Sequence, residues 1–471
     1  MSNIKIGLVG VNSPAYYAKE YRVYEQSVKG LEALGKKYGF DTVCFPKLIE
    51  TADEAVPAKE FMLQEKVDFL LIQNAAFSMG DVMEVLANTG LALGLWAVGE
   101  PENENDVKLH SLVSLNMYTS IIKRCFKDRQ IKYKWFFGNV DTQVFIERFK
   151  PTILALKAIN KLKNARICWV GSVAPTFNNM KPDLNALKER FGVNIDIIPT
   201  LKVKAVADSL EKKEIDEAGE NFCRGIKKIN VTKEMLSKGA VVYTALSKIA
   251  REYGFDAMAL ACWPDFQELF GIVPCVPFTE IYDDDNIPVS CEGDLQAAIT
   301  MLVLNAMTGN KSMVMDFANV DIGRDMLLLW HCGIGTKDMA ACCQDISIIN
   351  HPMMNRKMSD EYRMGLSYDY YFKETHVTVA RISDNGDGMF FFNGEITNDK
   401  CTGFTGTRGW IKNINFQGEQ VSVLDLMDTV LTEGIEHHLV MAEGVCGNSF
   451  SEFAYWTGGK VIKPSRYRNY L

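Results

Sequence analysis

In the first part of the chain, short apolar runs typical of buried strands alternate with segments whose apolar residues recur at helical spacing. Ile4–Val11 is a short apolar run with branched residues, and a helical pattern follows over Tyr24–Tyr38. Further apolar runs at Asp41–Phe45, Val67–Gln73 and Leu91–Val98 predict buried strands. Strands that alternate with amphipathic helices indicate a parallel sheet that is covered on both faces.

A second series of strands and helices begins near residue 165. The pattern predicts strands at Arg166–Val173 and Asp256–Trp263, and helices at Pro182–Phe191 and Lys233–Tyr253. Pro182 suits a first helical position, which needs no N–H donor. The helix-like stretch at 145–163 comes before the fresh strand, so a domain boundary is expected within it.

The pattern changes after about residue 345. His376–Ile382, Gly388–Ile396 and Gly406–Ile414 alternate between apolar and polar residues, which is typical of half-buried strands. The dipeptide Asn393-Gly394 favours a tight hairpin turn. Helical periodicity is nearly absent here, and the segment is therefore predicted to form a small antiparallel barrel or sandwich.

These patterns predict an α/β fold in three parts. Two Rossmann-like α/β domains, residues 1–160 and 161–345, are expected to precede a C-terminal antiparallel β-barrel-like domain at 346–471. A length of 471 residues agrees with three domains of about 150 residues each. No G-x-G-x-x-G loop follows the first strand, where only Gly7 and Gly10 are present. A dinucleotide site is therefore not expected.

Composition and charge exclude several classes of protein. The chain is 47% hydrophobic and 23% charged, which is typical of a globular protein rather than a disordered one. Its net charge of −8 argues against a nucleic-acid partner. No apolar run approaches the ~18 residues of a membrane span, and no secretory signal is recognisable. The twelve cysteines show no CxxC spacing, and a reduced, cytoplasmic protein is predicted.

The first candidate residues for chemistry lie in Cys291-Glu-Gly-Asp294, which opens a predicted helix that ends at Gly309. Glu292 and Asp294 are expected in the first helical turn. There the helix dipole stabilises carboxylates by ~0.3–1 kcal/mol each, so a purely structural role is the plainer interpretation.

Asp316 is a second candidate, since it lies in the middle of the strongly apolar strand Ser312–Val320. A carboxylate that is buried without a partner costs several kcal/mol, unless it pairs with another group or binds a metal ion. Ligands gather at strand ends in α/β sheets, which favours a site. The alternative is an ion pair with a nearby arginine such as Arg324.

Histidine supplies the third candidate, because two of the six histidines are adjacent, His437 and His438. A strand would point them to opposite faces, so only one of the two is expected to be a ligand. His331 lies in the apolar strand Met326–Cys332, where a hydrogen-bonded core histidine is the commoner finding. Two carboxylates and one imidazole with open positions suit a divalent ion such as Mn²⁺.

With these residues in view, the chain resembles the L-fucose/L-arabinose isomerase family. The resemblance rests on Cys291-Glu-Gly-Asp294 at a helix start, on Asp316 in the following strand, and on the late His437-His438 pair. It implies two α/β domains and a C-terminal β module. It also implies that Glu292, Asp316 and His438 bind Mn²⁺, and that Glu292 and Asp316 act as catalytic acid and base.

The resemblance also implies substrate contacts and an assembly. His331 resembles a histidine that follows the strand acid, and Met180 resembles a substrate-facing methionine. Trp96 corresponds to a stretch that reaches a neighbouring subunit's site, so a homo-oligomer, a trimer or a hexamer, is expected. Apart from the resemblance, Trp410 is a candidate to stack on a sugar ring and Arg408 to hold an anionic group. A turn with a half-buried tryptophan and a surface arginine is the plainer interpretation of these two.

The sequence therefore predicts a metal-dependent ketol isomerase that interconverts an aldose and its ketose through an enediolate, with a small-molecule sugar as its partner. Two alternatives stay open. One is an isomerase of an anionic sugar such as a sulfonated aldose, with Arg408 as an anion contact. The other is a non-catalytic sugar-binding protein, since paired α/β domains also bind sugars. Glu292 and Asp316 favour the enzyme, because a sensor does not need two metal-binding carboxylates.

Overall fold

A computed structural model of the chain describes residues 3–101, 106–353, 365–399 and 404–470. The chain divides into two compact units, Met1–Asn160 and Lys161–Leu471. This division falls near the end of the helix Gln143–Leu162. The further border predicted at residue 345 stays a prediction.

The first unit contains a parallel sheet of five strands with helices between them. In chain order its elements are β1 (Lys5–Val11), α1 (Val23–Tyr38), β2 (Asp41–Cys44), α2 (Ala52–Gln64), β3 (Phe69–Asn74), α3 (Gly80–Ala87), β4 (Ala92–Ala97), α4 (Ser111–Cys125), β5 (Tyr133–Phe137) and α5 (Gln143–Leu162). The strand order is β2-β1-β3-β4-β5. The strands predicted from the apolar runs are confirmed, because strands buried on both faces appear in sequence as continuous apolar segments.

The second unit begins with another α/β series. Its elements are β6 (Arg166–Val170), α6 (Leu184–Phe191), β7 (Asn194–Ile198), α7 (Thr200–Asp208), α8 (Lys212–Cys223), β8 (Lys228–Ile229), α9 (Lys233–Tyr253), β9 (Ala257–Leu260), α10 (Asp265–Phe270), α11 (Cys275–Asp285), β10 (Val289–Ser290) and α12 (Leu295–Thr308). Four of its strands form a parallel sheet in the order β10-β9-β6-β7. Helix α9 has the predicted bounds. Helix α6 starts later than predicted, because Asp183 caps it by accepting the amides of Asn185 and Ala186.

The remaining elements build a large mixed sheet of eleven strands, which also includes β8. They are β11 (Ser312–Asp321), β12 (Met326–His331), β13 (Ser347–Ile349), β14 (Ser367–Tyr371), β15 (His376–Ser383), β16 (Gly388–Ile396), β17 (Thr407–Phe416), β18 (Glu419–Gln420), α13 (Val423–Thr432), β19 (His438–Glu443), α14 (Gly447–Thr457) and β20 (Lys460–Val461). The fold is thus mixed α/β, with two parallel sheets and one large mixed sheet. The predicted C-terminal barrel stays a prediction.

Six strands of the large sheet pair in a cycle through antiparallel neighbours, in the order β16, β15, β19, β11, β12, β17 and back to β16. Strands β11 and β12 precede residue 345 and the other four follow it. The cycle therefore joins the two segments that carry Asp316 and the His437-His438 pair.

The Asn393-Gly394 dipeptide does not form the predicted hairpin turn. Both residues lie within β16 and pair with β15. A Cβ on Gly394 would come 2.5 Å from the Ile411 side chain, so a glycine is needed where β17 passes close to the strand. The close approach of a neighbouring strand, rather than a turn, explains this glycine.

The expectation that helices are nearly absent after residue 345 is also wrong. Helix α13 buries Val423, Leu426 and Val430 on one face, at helical spacing. Ser422 caps it, and Asp425 completes the capping box. Helix α14 follows strand β19. Both helices are short, and the alternating strands around them obscure their pattern.

Helix α12 runs through the core of the second unit. Every residue from Leu295 to Leu304 is buried, and the helix packs against β9, β15 and β19. A helix that is apolar on all sides is typical of the core of a larger protein. None of the helices in the described part of the chain has the length and apolar character needed to cross a membrane.

The central position of α12 gives a testable prediction. Leu304→Ala removes a fully buried side chain from this helix and is expected to lower the free energy of unfolding by about 2–5 kcal/mol. Leu431→Ala, at a position in α13 that is 72% exposed, is the control and should change it by less than about 0.5 kcal/mol. Urea unfolding followed by circular dichroism measures both, and equal effects would contradict the central role of α12.

Candidate functional site

Glu292 lies in a tight turn between strand β10 and helix α12. Its φ of 58° is in the left-handed region, which is unfavourable for a residue with a long side chain. Neighbouring groups hold the turn: the Ala174 amide donates to the Glu292 carbonyl, and the Trp169 indole donates to the Gly293 carbonyl, both at 2.9 Å. Backbone strain of this kind costs about 1–3 kcal/mol and clusters at functional sites.

Asp316 and His438 are direct cross-strand neighbours in the large sheet. Strands β11 and β19 run antiparallel and pair the two residues, which places both side chains on the same face. Asp316 Oδ1 lies 3.9 Å from His438 Nε2. On the other side, Asp316 pairs with Trp330 of β12. The register of the sheet thus brings together an acid and an imidazole that are far apart in sequence.

Glu292 completes this group, and both adjacent histidines reach it. Oε2 of Glu292 lies 3.4 Å from His438 Nε2 and 3.3 Å from His437 Nε2. The expectation that only one of the two imidazoles approaches the site is wrong. Strand β19 begins at His438, so His437 lies before it, and the alternation of side chains along a strand does not apply. The ring of His437 also packs against Phe177, with centroids 5.0 Å apart.

His331 lies at the end of β12, and its ring centroid is 5.5 Å from that of His438. Its Nδ1 accepts the Cys332 amide at 2.9 Å, which leaves Nε2 to carry the proton of the neutral ring. This Nε2 is buried and has no hydrogen-bond partner among the described residues. Burial holds the pKa of His331 well below its ordinary value. The ring is therefore neutral and has one donor to offer.

Three buried residues form a hydrogen-bonded network on the Nδ1 side of His438. Asp294 Oδ2 accepts from His438 Nδ1 at 3.0 Å and from Arg381 Nη1 at 2.6 Å. Arg381 also approaches Glu436, with Nε 3.3 Å from Oε2. Because Nδ1–H donates to Asp294, Nε2 of His438 is directed toward Glu292 and Asp316.

The charges in this cluster shift the pKa values of its members. Burial raises the pKa of Asp294, but Arg381 and His438 outweigh that effect and lower it below its ordinary value. Burial lowers the pKa of His438, yet Asp294 and the other two carboxylates raise it overall. The surroundings of Nε2 therefore stabilise a positive charge there, whether that charge is a proton or a metal ion.

Asp316 behaves differently, because burial is the largest effect on it. Burial raises the pKa of Asp316 to about 6, against the opposing influence of His438 and His437. The ion pair between Asp316 and Arg324, which was the alternative interpretation, is not formed. Arg324 instead pairs with Asp321 and Asp399.

A cavity of about 650 Å³ opens beside Asp316. This volume lies within the usual range for small-molecule sites. Its lining combines one carboxylate with aromatic and apolar side chains and a threonine, namely Asp316, Ala318, Trp330, Pro352, Met353, Phe404 and Thr405. A sugar-sized ligand in this cavity would contact Asp316 directly.

The donor set fits a divalent metal ion. Among the described residues, two groups of metal-ligating side chains share His438: Glu292 with His437 and His438, and Asp316 with His331 and His438. Within each group the ligand atoms lie within 4.8 Å of one another. Carboxylate oxygens with an imidazole nitrogen are ligands that suit Mn²⁺. An ion beside His438 Nε2 would have an oxygen of each carboxylate nearby.

Sequence reasoning named Asp294 but missed its supporting role, and it missed Arg381 and Glu436. It placed Glu292 and Asp294 in the first turn of a helix, whereas α12 begins at Leu295 and Asp294 is its N-cap, accepting the Ala297 amide at 2.9 Å. Arg381 was overlooked, although an arginine in the apolar strand β15 was a signal that a buried acid faces it.

Two of the predicted substrate contacts are buried side chains. Met180 is fully buried in the second unit. Trp96 is fully buried within the first unit, where its indole donates to the Gly138 carbonyl at 2.7 Å and its ring packs against Phe145. Contacts of Met180 and Trp96 with a substrate stay predictions.

Arg408 and Trp410 lie in strand β17 rather than in a loop. Arg408 is buried, pairs with Asp369, and stacks on Tyr371 at 4.0 Å. Trp410 is also buried and packs with Met326 and other apolar side chains. The plainer expectation of a surface arginine in a turn is wrong, because the pairing of β17 with β12 encloses both residues.

The chain is similar to sulfoquinovose isomerases. It is 26% identical over 391 residues to proteins of that name from Priestia aryabhattai and Priestia megaterium, which is 82% of this chain and 84% of each relative. It is 23% identical over 378 residues to the sulfoquinovose isomerase of Alkalicoccus urumqiensis, covering 79% of this chain and 81% of that protein. No family model matches the chain, so membership of the L-fucose/L-arabinose isomerase family stays a prediction.

Among solved structures, a periplasmic solute-binding protein of an ABC transporter from Actinobacillus succinogenes 130z, with bound D-allose, matches 65% of this chain and 92% of that one. The identity is 12% and the TM-score is 0.17. A score this low carries no argument about fold or function.

The arrangement behind His438 gives a second prediction. Asp294→Asn removes the charge that pairs with Arg381 and weakens the hold on His438, so affinity for Mn²⁺ is expected to fall by about 10–100-fold. The melting temperature should fall as well, because a buried guanidinium loses its partner. Isothermal titration with Mn²⁺ and thermal melting measure the two effects.

Asp183→Asn is the matched control. Asp183 is also a helix N-cap in the second unit, but it is exposed and accepts only backbone amides. Asparagine caps helices about as well as aspartate, so this change should leave both measurements nearly unaltered. Equal effects of the two substitutions would mean that Asp294 acts only as a helix cap.

Proposed function

We propose that this protein is a metal-dependent aldose–ketose isomerase whose substrate is a sulfonated aldose. The similarity to sulfoquinovose isomerases over most of the chain supports a sugar isomerase, and it favours a sulfonated sugar over a neutral aldose. The observation that carries the proposal is the approach of Glu292 and Asp316 to one nitrogen, His438 Nε2, at 3.4 and 3.9 Å.

The two carboxylates supply the acid and base that the reaction needs. An aldose–ketose interconversion removes the hydrogen on C2 and places one on C1, while a hydroxyl proton passes from O2 to O1. In the proposed reaction Glu292 and Asp316 share these transfers, and both return to their starting protonation states. Coordination to the metal ion would keep both carboxylates deprotonated and ready to accept a proton.

Mn²⁺ is the proposed cofactor, and Glu292, Asp316 and His438 would hold it. Bound there, it would polarise the sugar carbonyl as a Lewis acid. Asp294 keeps His438 in the required orientation through Nδ1. The strained turn holds Glu292 in place, so its carboxylate loses little conformational entropy when it binds the ion or the substrate.

Two further residues are proposed to bind the sugar. His331 Nε2–H, which has no partner in the described part of the chain, would donate to a substrate oxygen. Arg408 is the proposed contact for the sulfonate. Its Nη1 already binds Asp369 and the Gly406 carbonyl, so it would have to share or exchange these partners with the anion.

We also propose a cytoplasmic homo-oligomer, a trimer or a hexamer. The family resemblance supports the assembly. The eleven cysteines among the described residues are all free, which suits a reducing compartment.

The roles of the carboxylates give a third prediction. Glu292→Gln and Asp316→Asn should each lower turnover by at least about 10²–10⁴-fold and weaken Mn²⁺ binding, while the protein stays folded. Turnover, bound metal and melting temperature are measured on the same preparations. Asp321→Asn is the control, because Asp321 lies at the end of the same strand β11, is only half-buried, and pairs with Arg324. Unchanged turnover and metal content with a lowered melting temperature would assign a purely structural role to the acids.

The substrate gives a fourth prediction. Bound metal is removed from the protein with a chelator, and Mn²⁺ is then added back. The protein is assayed on neutral, deoxy and sulfonated aldoses before and after this addition. Turnover is expected to return with Mn²⁺ and to be highest for a sulfonated aldose. Product NMR in D₂O should show deuterium at C1 or C2, because an acid–base route exchanges the proton with solvent. Highest turnover on a neutral aldose would overturn the sulfonate assignment, and no turnover with no metal bound would overturn the isomerase.

A further inference from the structure

A second cluster of metal-ligating side chains lies outside the proposed reaction. Cys275, Cys332 and His351 are buried, with exposed fractions of 0%, 4% and 2%. One ligand atom from each lies within 4.8 Å of the others. We refer to these three residues as the thiol–imidazole cluster.

The spacing of the two sulfurs matches that of two ligands on one ion. Cys275 Sγ and Cys332 Sγ are 3.9 Å apart. Two thiolates at about 2.3 Å from a tetrahedral Zn²⁺ would have sulfurs about 3.8 Å apart. A disulfide would need a separation of about 2.05 Å. The separation of the two sulfurs therefore agrees with coordination of one ion by both.

The chain offers an internal comparison. Cys262 and Cys291 also form a buried pair, with their sulfurs 3.4 Å apart. In the described part of the chain, however, neither belongs to a group of three possible metal ligands. Proximity of thiols is thus common to both pairs, and the imidazole of His351 distinguishes one of them.

The backbone around the cluster is held in place. Cys275 is the first residue of α11, an eleven-residue helix, whose N-terminal end stabilises a thiolate. Leu366 ties this end down, because its amide donates to Val273 and its carbonyl accepts from Val276. Gly365 lies so close to His351 that a Cβ on it would clash with the histidine backbone. The ligands are therefore positioned by the fold.

The surroundings of the cluster also suit a cation. The Met353 amide donates to His351 Nδ1 at 3.3 Å, which holds the orientation of the imidazole ring. A buried thiolate is costly unless a positive charge accompanies it.

We propose that the thiol–imidazole cluster binds one Zn²⁺ ion. Two thiolate sulfurs and one imidazole nitrogen are ligands typical of Zn²⁺ sites, whereas Mn²⁺ favours oxygen ligands. Binding releases the thiol protons to solvent, so that both sulfurs coordinate as thiolates. The ion would link α11, the residue after β12, and the segment at His351. The three ligands are not those of the proposed Mn²⁺ site, but the two sites adjoin, because Cys332 Sγ lies 3.2 Å from His331 Nδ1. Binding of Zn²⁺ does not require isomerase activity.

Cobalt substitution tests this proposal, because thiolate–Co²⁺ charge transfer absorbs in the near ultraviolet and carboxylate or imidazole ligands give no such band. The full chain is expressed in medium supplemented with Co²⁺, and its spectrum is recorded. We expect the band in the wild type and in Glu292→Gln, and its loss in Cys275→Ser. Cys262→Ser is the matched control and should keep it. Protein from medium containing Zn²⁺ should hold about one Zn²⁺ per chain that Cys275→Ser lacks.

Three results would overturn the proposal: a wild-type protein without the band, a Cys275→Ser variant that keeps it, or a Cys275–Cys332 disulfide found by alkylation and mass spectrometry. His351→Gln is measured alongside, since Cys275→Ser alone can unfold the chain, and circular dichroism reports which variants are folded. A folded His351→Gln should show a weaker or altered band. Because the readout is spectroscopic, failure of the isomerase proposal would leave it unaffected.

Discussion

The candidate site depends on one buried ion cluster. Arg381 is fully buried and binds Asp294 and Glu436, and a buried charge that loses its partners costs several kcal/mol. Arg381, Asp294 and Glu436 are therefore stable in the interior only when they contact one another. Their meeting requires helix α12, strand β15 and the segment before β19 to pack in one arrangement, and that same arrangement brings Glu292, Asp316 and His438 together.

Asp294 connects this structural requirement to the proposed chemistry. One of its oxygens caps helix α12 by accepting the Ala297 amide, and the other accepts from Arg381 and His438. Helix start, ion pair and histidine orientation are thus fixed by a single side chain. An imidazole gains precision from such a support, because the support fixes its tautomer and ring plane.

The fold and the site were predictable to different depths. Buried parallel strands such as β1 and β3 were found because their apolar residues are continuous, and α9 because its helical pattern continues over 21 residues. The hairpin at Asn393-Gly394 was wrong because a neighbouring strand, not a turn, requires that glycine. Helices α13 and α14 were missed, since two or three turns among alternating strands give a weak period.

The sequence by itself determined which residues are unusual: an acid in an apolar strand at Asp316, a Glu-Gly-Asp segment at a helix start, and the adjacent histidines His437 and His438. A polar group in an apolar segment is recognisable from the sequence alone, because its burial costs free energy unless it has a partner or a ligand. Only the tertiary structure decided which partners they meet. The pairing of β11 with β19 and the burial of Arg381 join segments far apart in the chain, and local periodicity carries no information about such distant neighbours.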